Sequence, residues 1–145
     1  MIPYPLADFF CNAINPLLLI LIFWERGGPK TAWPFWLRWA VALVVAVSLA
    51  ELGKKFQVWP GHGGFPSGHT AFAATCATAL VFRRGVRWLP VGVLLTGLMM
   101  ASLVYAGWHT IPDTLGALVL AVGITTLVWR VFPKESATPP ANPET

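Results

Sequence analysis

The sequence predicts an all-α fold, a polytopic helix bundle that crosses a membrane about five times. Three observations carry that expectation. Of 145 residues, 56% are hydrophobic and only 11% charged, where an ordinary soluble domain carries about 25% charge. A soluble chain so poor in charge would leave broad apolar patches facing water. The apolar residues gather into five runs, at approximately 9–24, 33–53, 68–83, 87–107 and 111–132. None of these runs alternates as barrel strands do, and none shows a clear 3.6-residue period, as expected of helices apolar all round.

A hydrocarbon core of about 30 Å needs about 20 helical residues. The second, fourth and fifth runs meet that length. The first and third are short, and are expected to start below the membrane surface or to lie where the bilayer is thin. No basic segment or small-residue cleavage site precedes the first run, so it is expected to stay as an anchor. The third run is crowded with Ala71, Ala73, Ala74, Ala77 and Ala79, a composition that lets helix backbones approach closely. Trp24, Trp33, Trp36, Trp88, Trp108 and Trp129 mark the ends of runs, where indole favours the headgroup level. Cys11 and Cys76 lie in separate apolar runs with no metal-ligand spacing, and read as packing residues. Residues 1–135 read as one domain, and 136–145, polar and Pro-rich, as a disordered tail.

The connecting segments alternate in charge. Arg26 and Lys30, then Arg83, Arg84 and Arg87, then Arg130 and Lys134 are basic; Lys54 and Lys55 are the exception on the other side. The positive-inside rule puts the basic segments in the cytoplasm and turns the 54–67 and 108–112 loops outward. No polar basic face exists for nucleic acid.

Those two outward loops hold all three histidines, His62, His69 and His109, with Lys54, Lys55 and Asp113 nearby. Ionisable residues at span ends are functional candidates. In Pro66-Ser67-Gly68-His69-Thr70, Pro and Gly make a tight entry to the third helix. The orphan N–H groups there, with the helix dipole, suit an anion, and His69 is placed to donate a proton. A Ser cap beside an incidental His is the plainer reading of that segment alone. In the second loop His109 precedes the fifth helix and Asp113 follows four residues later. A carboxylate on one imidazole nitrogen fixes the tautomer and frees the other as base or nucleophile. An interfacial His with a helix-capping Asp fits that pair equally.

Together the segments resemble the PAP2 superfamily of membrane lipid phosphatases, related to the vanadium haloperoxidases. The family pattern is Lys, six residues, Arg-Pro; then Pro-Ser-Gly-His; then Ser-Arg, five residues, His, three residues, Asp. Here the second part is intact at residues 66–69, and the third survives as Ser102, His109 and Asp113. Both motif arginines are missing: Leu103 holds one position, and His62-Gly63 follow Lys55 where Arg-Pro is expected.

The resemblance implies a metal-free and cofactor-free hydrolase acting on a lipid phosphate or diphosphate, such as a polyprenyl diphosphate, phosphatidic acid or phosphatidylglycerol phosphate. It implies His109 as nucleophile, Asp113 as its orienter and His69 as acid. Lys54 or Lys55, His62, Ser67, Gly68 and Ser102 would contact the phosphate. The expected location is the cytoplasmic (inner) membrane, with the site on the outer side. The second reading is a catalytically degenerate relative that binds phospholipid headgroups or a membrane partner. Oligomeric state is open.

Overall fold

A computed structural model of the chain describes residues 4–24 and 33–132. They form five α-helices, α1 (Tyr4–Phe23), α2 (Trp33–Lys55), α3 (Gly68–Arg84), α4 (Leu89–Tyr105) and α5 (Ile111–Val131), with a 3₁₀ turn at Val86–Trp88 leading into α4. No strand occurs among the described residues. The molecule is an all-α membrane helix bundle. The predicted polar tail at 136–145 lies outside the described residues, as do Arg26, Lys30 and Lys134.

Helices α2, α3 and α5 begin where their apolar runs begin. Helix α1 starts ahead of its run, where Asn12 Nδ2 donates to Asp8 Oδ1 at 2.9 Å and to the Asp8 carbonyl at 2.8 Å. By length and composition, α2, the Val86–Tyr105 segment and α5 are long and apolar enough to cross a membrane. The five expected runs are thus five helices, three of them long and apolar throughout, while in α1 the apolar stretch is the shorter Ala7–Phe23. The 17 residues of α3 reach about 25 Å, short of a ~30 Å core.

The short helix sits at the centre. Helix α3 packs against α1, α2, α4 and α5, with α1 beside α4 on one flank and α2 beside α5 on the other. In lipid, packing contact rather than water exclusion drives such association, and small residues permit it. Ala46 and Ala50 of α2, Ala71 and Ala74 of α3, and Ala117 and Ala121 of α5 form a buried alanine seam. On the other flank, Cys11, Ile14 and Leu18 of α1 meet Cys76 and Leu80 of α3 and Met99 and Leu103 of α4. Gly92 of α4 is part of this closeness: a Cβ there would lie 3.2 Å from the Ala77 Cβ. Both cysteines are buried packing residues.

Helices α1 and α2 lean on α3 rather than on each other. They meet at one end, where Phe23 stacks on Trp36 with ring centroids 4.6 Å apart. That end is also the basic one. Arg83 lies over the Phe35 ring at 4.1 Å, Arg84 lies over Trp88 at 5.0 Å and donates to the Trp24 carbonyl, and Phe82 stacks on Trp129. The tryptophans thus divide. Trp24, Trp33 and Trp108 are exposed at helix ends, while Trp36 and Trp129 pack against phenylalanines of neighbouring helices. The three histidines lie at the opposite end of the bundle.

Candidate active site

Two helix starts and one loop build the site. Helix α3 opens on Ser67, which is fully buried; its Oγ accepts from the Thr70 N–H at 3.4 Å and from Thr70 Oγ1 at 3.3 Å. The N–H groups of Gly68 and His69 are first-turn donors of the kind a helix leaves free. Helix α5 opens on a capping box: Thr110 Oγ1 accepts from Asp113 N at 3.4 Å, and Asp113 Oδ2 accepts from Thr110 N at 2.8 Å. The two starts are joined directly, since Ser67 N donates to the Asp113 carbonyl at 3.0 Å.

The intervening loop is pinned by aromatics. Phe65 packs edge-on against Trp59, and its ring lies over Gly116 of α5, where a Cβ would collide with it. The Phe65–Pro66 peptide is cis. Gly64 passes so close to the histidine loop that a Cβ would lie 2.9 Å from His109 Nδ1 and 3.1 Å from Asp113 Oδ2. Glycine is required there for that approach.

Asp113 stands between two imidazoles. Its Oδ2 is 3.7 Å from His109 Nδ1 and its Oδ1 is 3.6 Å from His62 Nδ1. Both separations exceed a hydrogen bond, and His109 Nδ1 and Asp113 Oδ1 are buried without a partner. The His62 ring leans on Trp59 at 4.8 Å, and its Nδ1 is 3.5 Å from Thr110 Oγ1. Burial pushes His109 below its ordinary imidazole value of 6.5. The Lys54 charge adds to the effect, the Asp113 carboxylate opposes it, and His69 reinforces it more weakly.

Beside this cluster, a cavity of about 290 Å³ is lined by Asn15, Val47, Glu51, Lys54, Gly68, His69 and Phe72. Lys54 Nζ pairs with Glu51 Oε1 at 2.7 Å. Of the two lysines, Lys54 faces the cavity, and Lys55 is exposed.

The structure therefore brings His62, His69, His109, Asp113, Lys54, Ser67 and Gly68 to one end of the bundle. Ser102 is different: it is buried within α4, and its hydroxyl donates back to the Leu98 carbonyl at 2.7 Å. Leu103 is fully buried in the α1–α3–α4 core, and only its carbonyl serves the site, accepting from Trp108 N and His109 N. Three residues escaped the sequence reading. Glu51 carried a signal in its three-residue spacing to Lys54, Asn15 in being polar inside an apolar run, and Gly64 none that is local.

Residues 49–137 match the family model described as the PAP2 superfamily. The chain belongs to the PAP2 superfamily. The match begins within α2, takes in Glu51 and Lys54, and runs through α3, α4 and α5. No curated protein and no solved structure matches the chain at a significant level. PAP2 proteins generally hydrolyse phosphate esters, and the chain is a membrane protein of this phosphatase family. The PAP2 segment thus contains both motif histidines and the aspartate, while Asn15, on α1, lies before it.

Proposed function

We propose that this PAP2 protein hydrolyses a lipid phosphate or lipid diphosphate through a phospho-histidine intermediate, at the outer face of the cytoplasmic membrane. The observation that carries the reading is the direct junction of the two motif segments: the Ser67 N–H bonded to the Asp113 carbonyl, with His109 and His62 on either side of the carboxylate.

The steps follow from the residues. With Nδ1 turned toward Asp113, Nε2 of His109 is the nitrogen left for attack. It forms a bond to phosphorus as the bond to the lipid oxygen breaks, and His69 gives the leaving alkoxide its proton. A water then attacks the same phosphorus, passes a proton to His69, and releases phosphate and free His109. Asp113 stabilises the imidazolium; its 3.7 Å separation would close on substrate binding, as catalytic hydrogen bonds commonly do. Burial favours the neutral form of His109, the form a nucleophile needs. Lys54 and the Gly68 and His69 N–H groups at the positive start of α3 hold the phosphate oxygens. Ser67 and Thr110 fix the two helix starts.

One observation favours a second reading, a PAP2 relative that binds lipid headgroups without turnover. Leu103, at a motif arginine position, is sealed in the core, and a lost oxyanion donor costs about 10²–10³ in rate. The test is inorganic phosphate release from a panel of lipid phosphates by purified wild type and His109→Ala. Release that vanishes in the variant, with its fold intact by circular dichroism, supports the enzyme. Equal release by the variant sinks the nucleophile, and no release by either supports the binding protein.

A further inference from the structure

The cavity beside His69 carries charges of both signs, which a site for a simple phosphate monoester does not need. Glu51 Oε1 and Lys54 Nζ, 2.7 Å apart, both line it. They lie over the first residue of α3: a Cβ on Gly68 would be 2.6 Å from Glu51 Oε1 and 3.4 Å from Lys54 Nζ. A carboxylate at the mouth of an anion site repels a dianion and offsets the one lysine that faces it. As an i,i+3 pair on a helix, the two are worth only a few tenths of a kcal/mol to stability, so stability gives little reason for a carboxylate there. The Glu51 side chain is 58% exposed and is free to turn toward a ligand. A third group points the same way: Asn15 of α1 lines the cavity, and its Oδ1 is shielded from solvent with no hydrogen-bond partner. An acceptor left bare inside an apolar bundle is costly unless a donor arrives.

We infer that the cavity selects a phosphate lipid that also carries an ammonium group. The inference rests on the proposed phosphatase reading and names its substrate class. The phosphate lies against Lys54, His69 and the start of α3. The ammonium takes Glu51 and the bare Asn15 Oδ1, and releases Lys54 to the phosphate. The volume of about 290 Å³ is at the small end for ligand sites, the size of a headgroup and not of a lipid. The acyl chains then leave between α1 and α2, which do not pack against each other at this end.

The ammonium could stand on the alcohol that the phosphate esterifies or on a second ester group, so two matched pairs are compared. One is a long-chain 2-aminoalkyl phosphate and its N-acetyl derivative. The other is a phosphoethanolamine lipid and its N-acetyl derivative. N-acetylation removes the positive charge and leaves the phosphate. Turnover is read as released inorganic phosphate for the first pair and as released phosphoethanolamine or its N-acetyl form for the second. Wild type is expected to favour the free amine in at least one pair by about tenfold in kcat/KM, and Glu51→Gln to reduce that preference to about twofold or less. The pair showing the preference locates the ammonium. Turnover with no amine preference in either pair overturns the inference and leaves the phosphatase standing. So does a preference that survives Glu51→Gln. If wild type turns over none of the four but releases phosphate from other lipid phosphates of the panel, the inference is overturned and the phosphatase stands; if it releases none from any lipid, the phosphatase reading fails, and the four lipids are compared by binding through tryptophan quenching. Amine-selective binding lost in Glu51→Gln upholds the headgroup assignment; unselective binding, or none, overturns it.

Discussion

Gly64→Ala isolates the contact on which the histidine cluster depends. Gly64 is not held at a positive φ, so alanine meets no backbone strain and the perturbation is steric. Its Cβ would come within 2.9 Å of His109 Nδ1 and 3.1 Å of Asp113 Oδ2, where ordinary contact begins at 3.4 Å. The imidazole must therefore retreat by about 0.5 Å, the shortfall between those distances. A misplacement of about 1 Å costs on the order of 10²-fold in rate, so half of it predicts about a tenfold fall in kcat/KM. The loop lies at the bundle end, and the stability cost should stay below about 1 kcal/mol. Gly63→Ala is the control, because nothing lies within 4 Å of a Cβ there, and its activity should equal wild type. Phosphate-release kinetics and thermal unfolding in detergent read the two effects separately. Wild-type kcat/KM in a folded Gly64→Ala protein refutes the reasoning, since His109 would then tolerate displacement from Asp113.

Two further predictions follow from the same geometry. Burial holds His109 below 6.5 in the folded chain, so on acidification the unfolded chain takes up this proton first. The associated stability is full above about pH 6.5 and is lost as pH falls below it toward the folded value. Unfolding midpoints measured between about pH 7 and pH 5 should fall more steeply for wild type than for His109→Gln, and parallel curves would remove burial as the cause. On α5, Gly116→Ala drives a Cβ into the Phe65 ring, whereas Gly123 faces open space. Helix propensity favours both substitutions by up to about 1 kcal/mol, but overpacking costs about 1–3 kcal/mol. Gly116→Ala should therefore destabilise the fold and slow phosphate release while Gly123→Ala does neither; a stabilised, fully active Gly116→Ala would show that Phe65 does not anchor the loop.

Much of this architecture was legible because the signals are local. Apolar runs gave α2, α3 and α5 their first residues, and the Pro-Ser-Gly-His and His-x-x-x-Asp segments announced two helix starts. The capping that the plainer readings of those segments expect is present: Ser67 and Asp113 do cap their helices. Capping and site-building are one act here, since the capped starts are bonded to each other through Ser67 N and the Asp113 carbonyl. What stayed hidden needed three dimensions. The choice between Lys54 and Lys55 depends on the rotation of the last turn of α2. Ser102 matches its motif position, yet a serine inside a helix can always bond back to the carbonyl four residues earlier, and Ser102 does so. Glu51 and Asn15 meet in one cavity only because α1 and α2 both rest on α3.

The proposed site departs from the family pattern at both arginine positions. One position is Leu103, whose side chain is committed to the core, so a guanidinium there would have to unpack three helices. Counted from Lys55 the other is His62, which stands at the proposed site, 3.6 Å from Asp113 Oδ1 with its side chain 29% exposed. A guanidinium is always charged and grips phosphate with two parallel donors, while an imidazole offers it a single one. His62→Arg should therefore restore a fork at the one position with room for it. The expected result is a KM for a lipid phosphate lower by about tenfold, the worth of one charge-assisted hydrogen bond of about 1.4 kcal/mol. A variant whose KM matches wild type would show that His62 faces Asp113 and never the phosphate.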